Sequence, residues 1–111
     1  MVNSRNKGKT GERQWRDVLR GAGFKARRGQ QYSGGGDSPD VICEELNDVM
    51  HFEVKWVNKL NVSNAIKQAK DDCPVGKWRV VAHKKDREGW LVTMPAEDWI
   101  DLVKEWKERS D

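Results

Sequence analysis

The sequence predicts an α/β domain in which a mixed sheet of about five strands is flanked by α-helices. Three observations predict this class. Some segments repeat apolar residues at helical spacing, others alternate apolar and polar residues or are short apolar runs, and Gly, Pro or Asn residues separate them. The order is α-β-β-β-α-β-β-α, and 111 residues suffice for a single domain with a modest core.

The first helix is predicted over about residues 11–21 or 11–23, with Thr10 as its N-cap. Its inward stripe follows the i, i+3, i+4, i+7 spacing and consists of Trp15, Val18, Leu19 and Ala22. Residues 1–9 are basic and aperiodic, so we expect a flexible arm there. After the helix, Phe24 to Arg28 is predicted as the first strand.

A hairpin is predicted next, with strands at Val41–Cys43 and Met50–Trp56 and a polar reversal at Asn47–Asp48. The second strand alternates cleanly. One face carries Met50, Phe52, Val54 and Trp56, and the other carries His51, Glu53 and Lys55.

The rest of the chain predicts a helix over about Asn64–Asp72 capped by Ser63, then two strands and a last helix beginning at Pro95. The strands are Trp78–His83 and Trp90–Thr93. The inward stripes of the two helices are expected to be Val62, Ile66, Ala69 and Cys73, and Trp99, Leu102, Val103 and Trp106.

Charge is distributed unevenly along the chain. Residues 1–31 hold nine Lys and Arg residues against Glu12 and Asp17, whereas the remainder has a net negative charge. A basic segment on an acidic body indicates a polyanionic partner such as nucleic acid. For residues 1–9 alone, a solubilising tail is the alternative.

No apolar run is long enough to span a membrane and no signal-peptide pattern is present, so we expect a cytoplasmic protein with no membrane partner. We expect Cys43 and Cys73 to be reduced and mostly buried. Their spacing from His51 and His83 matches no zinc pattern, which disfavours a zinc site.

Acidic residues on the hairpin indicate a metal site. Asp40 follows Pro39 at the start of one strand, and Glu53 and Lys55 share a face of the other. Neighbouring carboxylates repel unless a cation lies between them, and Mg²⁺ prefers oxygen ligands. The alternative is an ordinary solvated sheet face. Glu12 lies at the edge of the first apolar stripe, where it either joins the site or is a simple helix-start residue.

A glycine-rich loop follows the first strand. Gly34, Gly35 and Gly36 are consecutive, and Arg27, Arg28 and Tyr32 lie just before them. Such a loop either contacts phosphates closely or is a flexible connector. It matches no nucleotide-binding fingerprint, so nucleotide binding is not inferred.

Four pieces of the chain resemble the PD-(D/E)XK nuclease superfamily, and within it the archaeal-type Holliday junction resolvases and their small phage relatives. The pieces are Lys7–Arg13, Arg27–Gly34, Ser38–Val41 and Phe52–Lys55. The resemblance as a whole extends over most of the chain, about residues 5–94. The resemblance implies a restriction-endonuclease-like sheet in a single nuclease domain spanning residues 1–111.

The resemblance also implies residue roles. Asp40 and Glu53 would bind the metal directly, and Glu12 would complete the site through the metal or its water. Lys55 would orient or activate the attacking water. The cofactor would be Mg²⁺, with Mn²⁺ able to substitute.

Further residues are assigned by position in the same resemblance. Gln68 matches a glutamine of the related virus-type nucleases. Asp37 is an additional acid close to Asp40, and either of the two could be the first-strand acid of the family. DNA contacts are expected from Arg5, Lys7, Lys9, Arg13, Arg27, Arg28, Tyr32 and Ser33.

The function implied is resolution of four-way DNA junctions by paired nicks in the cytoplasm, or in the host cytoplasm for a phage protein. Twofold junction symmetry and one site per chain imply a homodimer. Trp56, Trp99 and Trp106 are candidates for its interface. A less selective phage nuclease and an inactive DNA-binding module are the alternatives.

Overall fold

The computed structural model describes residues 4–29, 39–73 and 76–110. The element order predicted from sequence is confirmed. The elements are α1 (Ser4–Gly21), β1 (Ala26–Arg28), β2 (Val41–Cys43), β3 (Met50–Trp56), α2 (Val62–Asp72), β4 (Trp78–Lys84), β5 (Leu91–Thr93) and α3 (Ala96–Ser110). A 3₁₀ turn at Glu44–Leu46 connects β2 to β3. None of the helices in these ranges combines the length and apolarity needed to cross a membrane.

The five strands form one mixed sheet in the order β1-β2-β3-β4-β5. β3 and β4 are parallel and the other neighbours are antiparallel. The parallel pair needs a crossover connection, which α2 provides. β3 therefore lies at the centre of the sheet with α1 and α2 both in contact with it.

The face of the sheet toward α1 carries the main core. Trp15 and Leu19 of α1 pack against Phe52 and Val54 of β3, as the alternation of β3 predicts. The Trp15 ring lies 5.9 Å from the Phe52 ring, centre to centre. Cys43 is buried in the same cluster. Water is thereby excluded from one side of β3.

The opposite face is covered by α2 through small side chains. Ala65 and Ala69 pack against Val81 of β4. The expected stripe was partly wrong, because Val62 is exposed and Ala65 is buried in its place. The cap also differs from the prediction, since the Asn61 side chain, not Ser63, accepts a hydrogen bond from the helix, at Asn64 N (3.0 Å).

Helix α1 begins at Ser4, so the prediction of a flexible arm was wrong for residues 4–9. Glycine at positions 8 and 11 disfavours a helix by propensity, but packing overrides it. Gly11 faces β3, where an added Cβ would lie 3.1 Å from the Trp56 Cβ. The Lys7 ammonium lies 3.0 Å from Asp86 and 5.1 Å from the centre of the Trp56 ring. Residues 1–3 lie outside the described ranges.

Helix α3 is attached by a charged pair instead of the predicted tryptophan stripe. Trp99 and Trp106 are 55% and 67% exposed, so their predicted inward orientation was wrong. The buried residue of the helix is Asp98, 7% exposed. Its Oδ2 accepts hydrogen bonds from Arg79 N (2.8 Å) and Nε (2.7 Å). Arg79 Nη2 donates to Oδ1 at 3.1 Å.

Substituting Asp98 with alanine should therefore destabilise the fold, because it leaves a partly buried guanidinium without its partner. We expect Asp98→Ala to lower the free energy of unfolding by about 3 kcal/mol. Glu97→Ala on the same helix removes only exposed ion pairs, and should cost less than about 1 kcal/mol. Urea unfolding followed by circular dichroism measures both, and equal losses would contradict the anchoring role of Asp98.

Candidate active site

Asp40 is fixed at the start of β2 by its contacts with β3. It is 8% exposed, and its Oδ2 accepts a hydrogen bond from the Val54 amide at 2.8 Å. The Asp40 amide donates to the carbonyl of Phe52 at 2.9 Å. The side chain and backbone of one residue are thus both bonded to β3, which places this carboxyl group beside the middle of the central strand.

Gly29 at the end of β1 makes this placement possible. Its amide donates to the Asp40 carbonyl at 2.9 Å. An added Cβ at Gly29 would lie 1.9 Å from the Pro39 carbonyl oxygen, so only glycine allows this close approach. Sequence reasoning treated Gly29 as part of a loop, whereas the structure gives it a packing role next to Asp40.

Glu53 lies in the middle of β3 and is 1% exposed. Its Oε1 is 2.7 Å from Nε2 of His51, which is itself 2% exposed. The two residues share a face because side chains alternate along a strand. The sequence placed His51 on the same face as Glu53 and raised it as a zinc ligand, but did not predict a hydrogen bond between the two side chains.

Asp40 and Glu53 are two carboxyl groups whose burial outweighs the positive charge of the nearby Lys55. Burial raises the pKa of Asp40 to about 7, and the charge of Glu53 adds to the rise. Burial likewise raises the pKa of Glu53 to about 7, with the charge of Asp72 adding to it. At neutral pH the neighbouring acids therefore retain part of their protons unless a cation compensates them.

Asp72 was missed by sequence reasoning, although a pattern could have revealed it. Ala65, Ala69 and Asp72 follow the i, i+4, i+7 spacing, which continues the inward face of α2 to its last turn. Asp72 therefore ends the helix next to β3, where its charge acts on Glu53.

Glu12 is near the same acids but is bound to Arg28. Its Oε1 accepts hydrogen bonds from Arg28 Nε (3.1 Å) and Nη2 (3.0 Å). Burial raises the pKa of Glu12, the Arg28 hydrogen bond opposes this, and the charge of Asp40 adds to the rise. The structure thus brings Glu12 within electrostatic reach of Asp40 and gives Arg28 a partner within the protein.

Candidate metal ligands are the His, Cys, Asp and Glu side chains of the described residues, which are 4–29, 39–73 and 76–110. Within them, no group of three or more His, Cys, Asp or Glu side chains is arranged to hold a metal ion. Asp40 and Glu53 are brought together, and the charge of Asp40 acts on Glu12. Carboxylate oxygens are the donors that a hard divalent cation takes, so the pair fits such an ion chemically. Asp37 lies outside the described residues.

Lys55 lies two residues after Glu53 on the same face of β3. Its Nζ donates a hydrogen bond to Gln68 Oε1 of α2 at 2.8 Å. The amide thereby orients the ammonium group beside the acidic pair. Both residues were predicted from the sequence, but no pattern within β3 or α2 shows that their side chains meet.

The predicted DNA-contacting residues differ in their exposure and in their partners within the protein. Lys9 and Arg13 of α1 and Arg27 of β1 are exposed. Arg5 belongs to α1. Lys7 and Arg28 already have acidic partners in the protein. Tyr32 and Ser33 lie outside the residues that the structure describes.

Comparison with a family model and with solved structures leads to the same family. A family model described as archaeal Holliday junction resolvase (Hjc) matches residues 3–97. The chain is also similar to the solved structure of Hjc from Archaeoglobus fulgidus, described as a Holliday junction resolvase from an archaeal hyperthermophile. That match has 26% identity and a TM-score of 0.58, and it covers 79% of this chain and 72% of the other. No curated protein matches the chain.

The fold and the family model agree, because the matched region contains the whole sheet, α1 and α2. Proteins of this family are metal-dependent nucleases that act on branched DNA. The chain belongs to the archaeal Holliday junction resolvase family, and it is an endonuclease that resolves Holliday junctions.

Proposed function

We propose that this chain hydrolyses junction phosphodiesters at a Mg²⁺ site held by Asp40 and Glu53. The observation that carries the proposal is the pair of buried, adjacent carboxyl groups whose pKa values are both raised to about 7. Two such groups are costly to ionise in a folded protein unless a cation compensates them. A divalent cation would provide that compensation, and Mn²⁺ would substitute for Mg²⁺.

Glu12 would complete the site through the cation or a water bound to it. It is within electrostatic reach of Asp40, and Arg28 holds it at the surface of α1 that faces β1. When bound, the cation would lower the pKa of a coordinated water and offset negative charge on the phosphate. The chain's own acids would hold the cation and would not contact the phosphate, which carries the same sign of charge.

Lys55 would orient the attacking water and stabilise charge that develops on the phosphate. Its support is geometric, since it shares a face of β3 with Glu53 and its ammonium group is hydrogen-bonded to Gln68 at 2.8 Å. The Gln68 amide is uncharged, so the bond fixes the position of the ammonium group without neutralising it. Gln68 is thus a positioning residue for Lys55 in this proposal.

Exposed basic residues of α1 and β1 would bind the DNA backbone. Lys9, Arg13 and Arg27 are the exposed members of the predicted set with described side chains. Phosphate contacts of this kind position the duplex arms without reading sequence. We propose the same role for Tyr32 and Ser33 from their sequence position alone.

We further propose that the active species is a homodimer. A four-way junction has twofold symmetry, and two copies related by a twofold axis would deliver two symmetric nicks. Trp99 and Trp106 of α3 expose large apolar side chains that a second copy could cover. Trp56 is less suited, because it packs under α1 at Gly11.

Removing either acid of the pair should abolish cleavage while leaving junction binding intact. We expect Asp40→Asn and Glu53→Gln each to slow Mg²⁺-dependent cleavage of a labelled four-way junction by at least about 100-fold. Asp48→Asn changes an exposed acid at the turn before β3 and serves as the matched control. Binding is measured separately by gel shift. Wild-type cleavage by Asp40→Asn would refute the assignment.

The pair also predicts how the metal-free protein responds to pH. Folded Asp40 and Glu53 have pKa values of about 7, above their ordinary values of 3.8 and 4.5, so the folded state binds more protons between those limits. Their contribution to stability is therefore fully present below about pH 4 and is lost as pH rises through about 7. Differential scanning fluorimetry should show a lower melting temperature at about pH 8 than at about pH 5.

Two comparisons isolate this effect from other titrating groups. Asp40→Asn should remove much of the pH dependence, because only one ionisable group of the pair remains. Added Mg²⁺ should raise the melting temperature more at the higher pH, since the ligands must be deprotonated to bind it. A melting temperature that responds equally to Mg²⁺ at both pH values would contradict the pair as its binding site.

A further inference from the structure

His51 and Glu53 form a buried pair, and the proposed reaction gives a role only to Glu53. The two side chains are 2% and 1% exposed, and His51 Nε2 lies 2.7 Å from Glu53 Oε1. The contact occupies one of the two carboxylate oxygens of Glu53. The Glu53 carboxyl group also hydrogen-bonds the side chains of Asp40 and Asp72, and a metal ion bound by Glu53 would replace those contacts.

The charges around Glu53 explain why its orientation needs support. After burial, the charge of Asp72 raises the pKa of Glu53, whereas a hydrogen bond with Asp40 lowers it. An ionised Glu53 beside the like charge of Asp72 would gain by rotating away from it. His51 opposes that rotation, because an ionised carboxylate can only accept and the Nε2–H group must then donate to it.

The neighbours of His51 in the sheet leave Glu53 as its hydrogen-bonding partner. His51 is on the central strand, where its register partner on the parallel strand β4 is Arg79. The Arg79 guanidinium is bound by Asp98 of α3 at 2.7 Å. That guanidinium charge is therefore engaged elsewhere, and His51 has Glu53 as its hydrogen-bonding partner on this face.

We propose that His51 is a positioning residue for the metal site, which holds Glu53 in the orientation that binds the cation. The inference rests on the proposed role of Glu53 as a ligand and adds a residue that acts through it. Outer groups that hydrogen-bond a ligating carboxylate typically change metal affinity when they are removed. His51 touches neither metal nor DNA in this account.

The test compares two variants that differ in hydrogen bonding but little in shape. His51→Gln keeps an N–H donor at a similar distance along the side chain, whereas His51→Met fills the same space without a donor. His83 lies on the neighbouring strand and bonds Thr93 Oγ1 at 2.8 Å. His83→Gln and His83→Met are therefore matched controls for a partly buried histidine outside the acidic pair.

The measurement is Mn²⁺ affinity of the full chain without DNA, by isothermal titration calorimetry. We expect His51→Met to weaken Mn²⁺ binding by about 10-fold to 100-fold, and His51→Gln to bind within about threefold of wild type. Both His83 variants should bind as wild type. Circular dichroism establishes that each variant is folded.

Wild-type Mn²⁺ affinity in folded His51→Met would overturn the inference, as would equal losses in the Met and Gln variants. Absence of Mn²⁺ binding by the unaltered chain would refute the proposed metal site itself, and the inference with it. If His51→Met does not fold, ¹⁵N NMR of the His51 imidazole in the wild-type chain tests the inference instead. Its Nε2 resonance should shift with Mg²⁺ along the binding curve, and an unchanged resonance would overturn the inference.

Discussion

The structure depends on one hydrogen bond between a side chain and the central strand, from the Val54 amide to Asp40 Oδ2 at 2.8 Å. Because the Val54 amide donates to this carboxylate, it does not donate to a backbone carbonyl of the neighbouring strand. The bond brings the Asp40 carboxyl group against Glu53 in a region that α1 and α2 close to water. Close packing of two acids in a dry site is unfavourable in isolation. The arrangement becomes reasonable once it serves to bind a cation.

The rest of the fold keeps this pair in place. The bulky side chains of α1 fill one face of β3, and the alanines of α2 let that helix lie close to the other. Gly29 admits the Pro39 carbonyl, so that β1 holds the segment before β2 in register. Lys55 and Gln68 then span from β3 to α2 at the edge of the same site. Helix α3 contributes differently, since its fixed point is the Asp98 pair with Arg79.

Local patterns predicted the elements well, because alternation and helical spacing report directly which side chains are buried. The period of two in β3 placed Glu53 and Lys55 on one face and Phe52 on the other. Contacts between distant segments could not be predicted in the same way. Helix α1 extends to Ser4 and contacts Trp56 through Lys7 and Gly11, and no local pattern contains those contacts.

The chemistry of the site was predictable in outline only. The acids could be named from their motifs, but the Arg28 partner of Glu12 and the His51 partner of Glu53 depend on the folded chain.

The most direct test of the account is anomalous diffraction from a crystal containing Mn²⁺. The account predicts a peak within about 2.5 Å of a carboxylate oxygen of both Asp40 and Glu53. A Mn²⁺ peak elsewhere, with none at this pair, would contradict it.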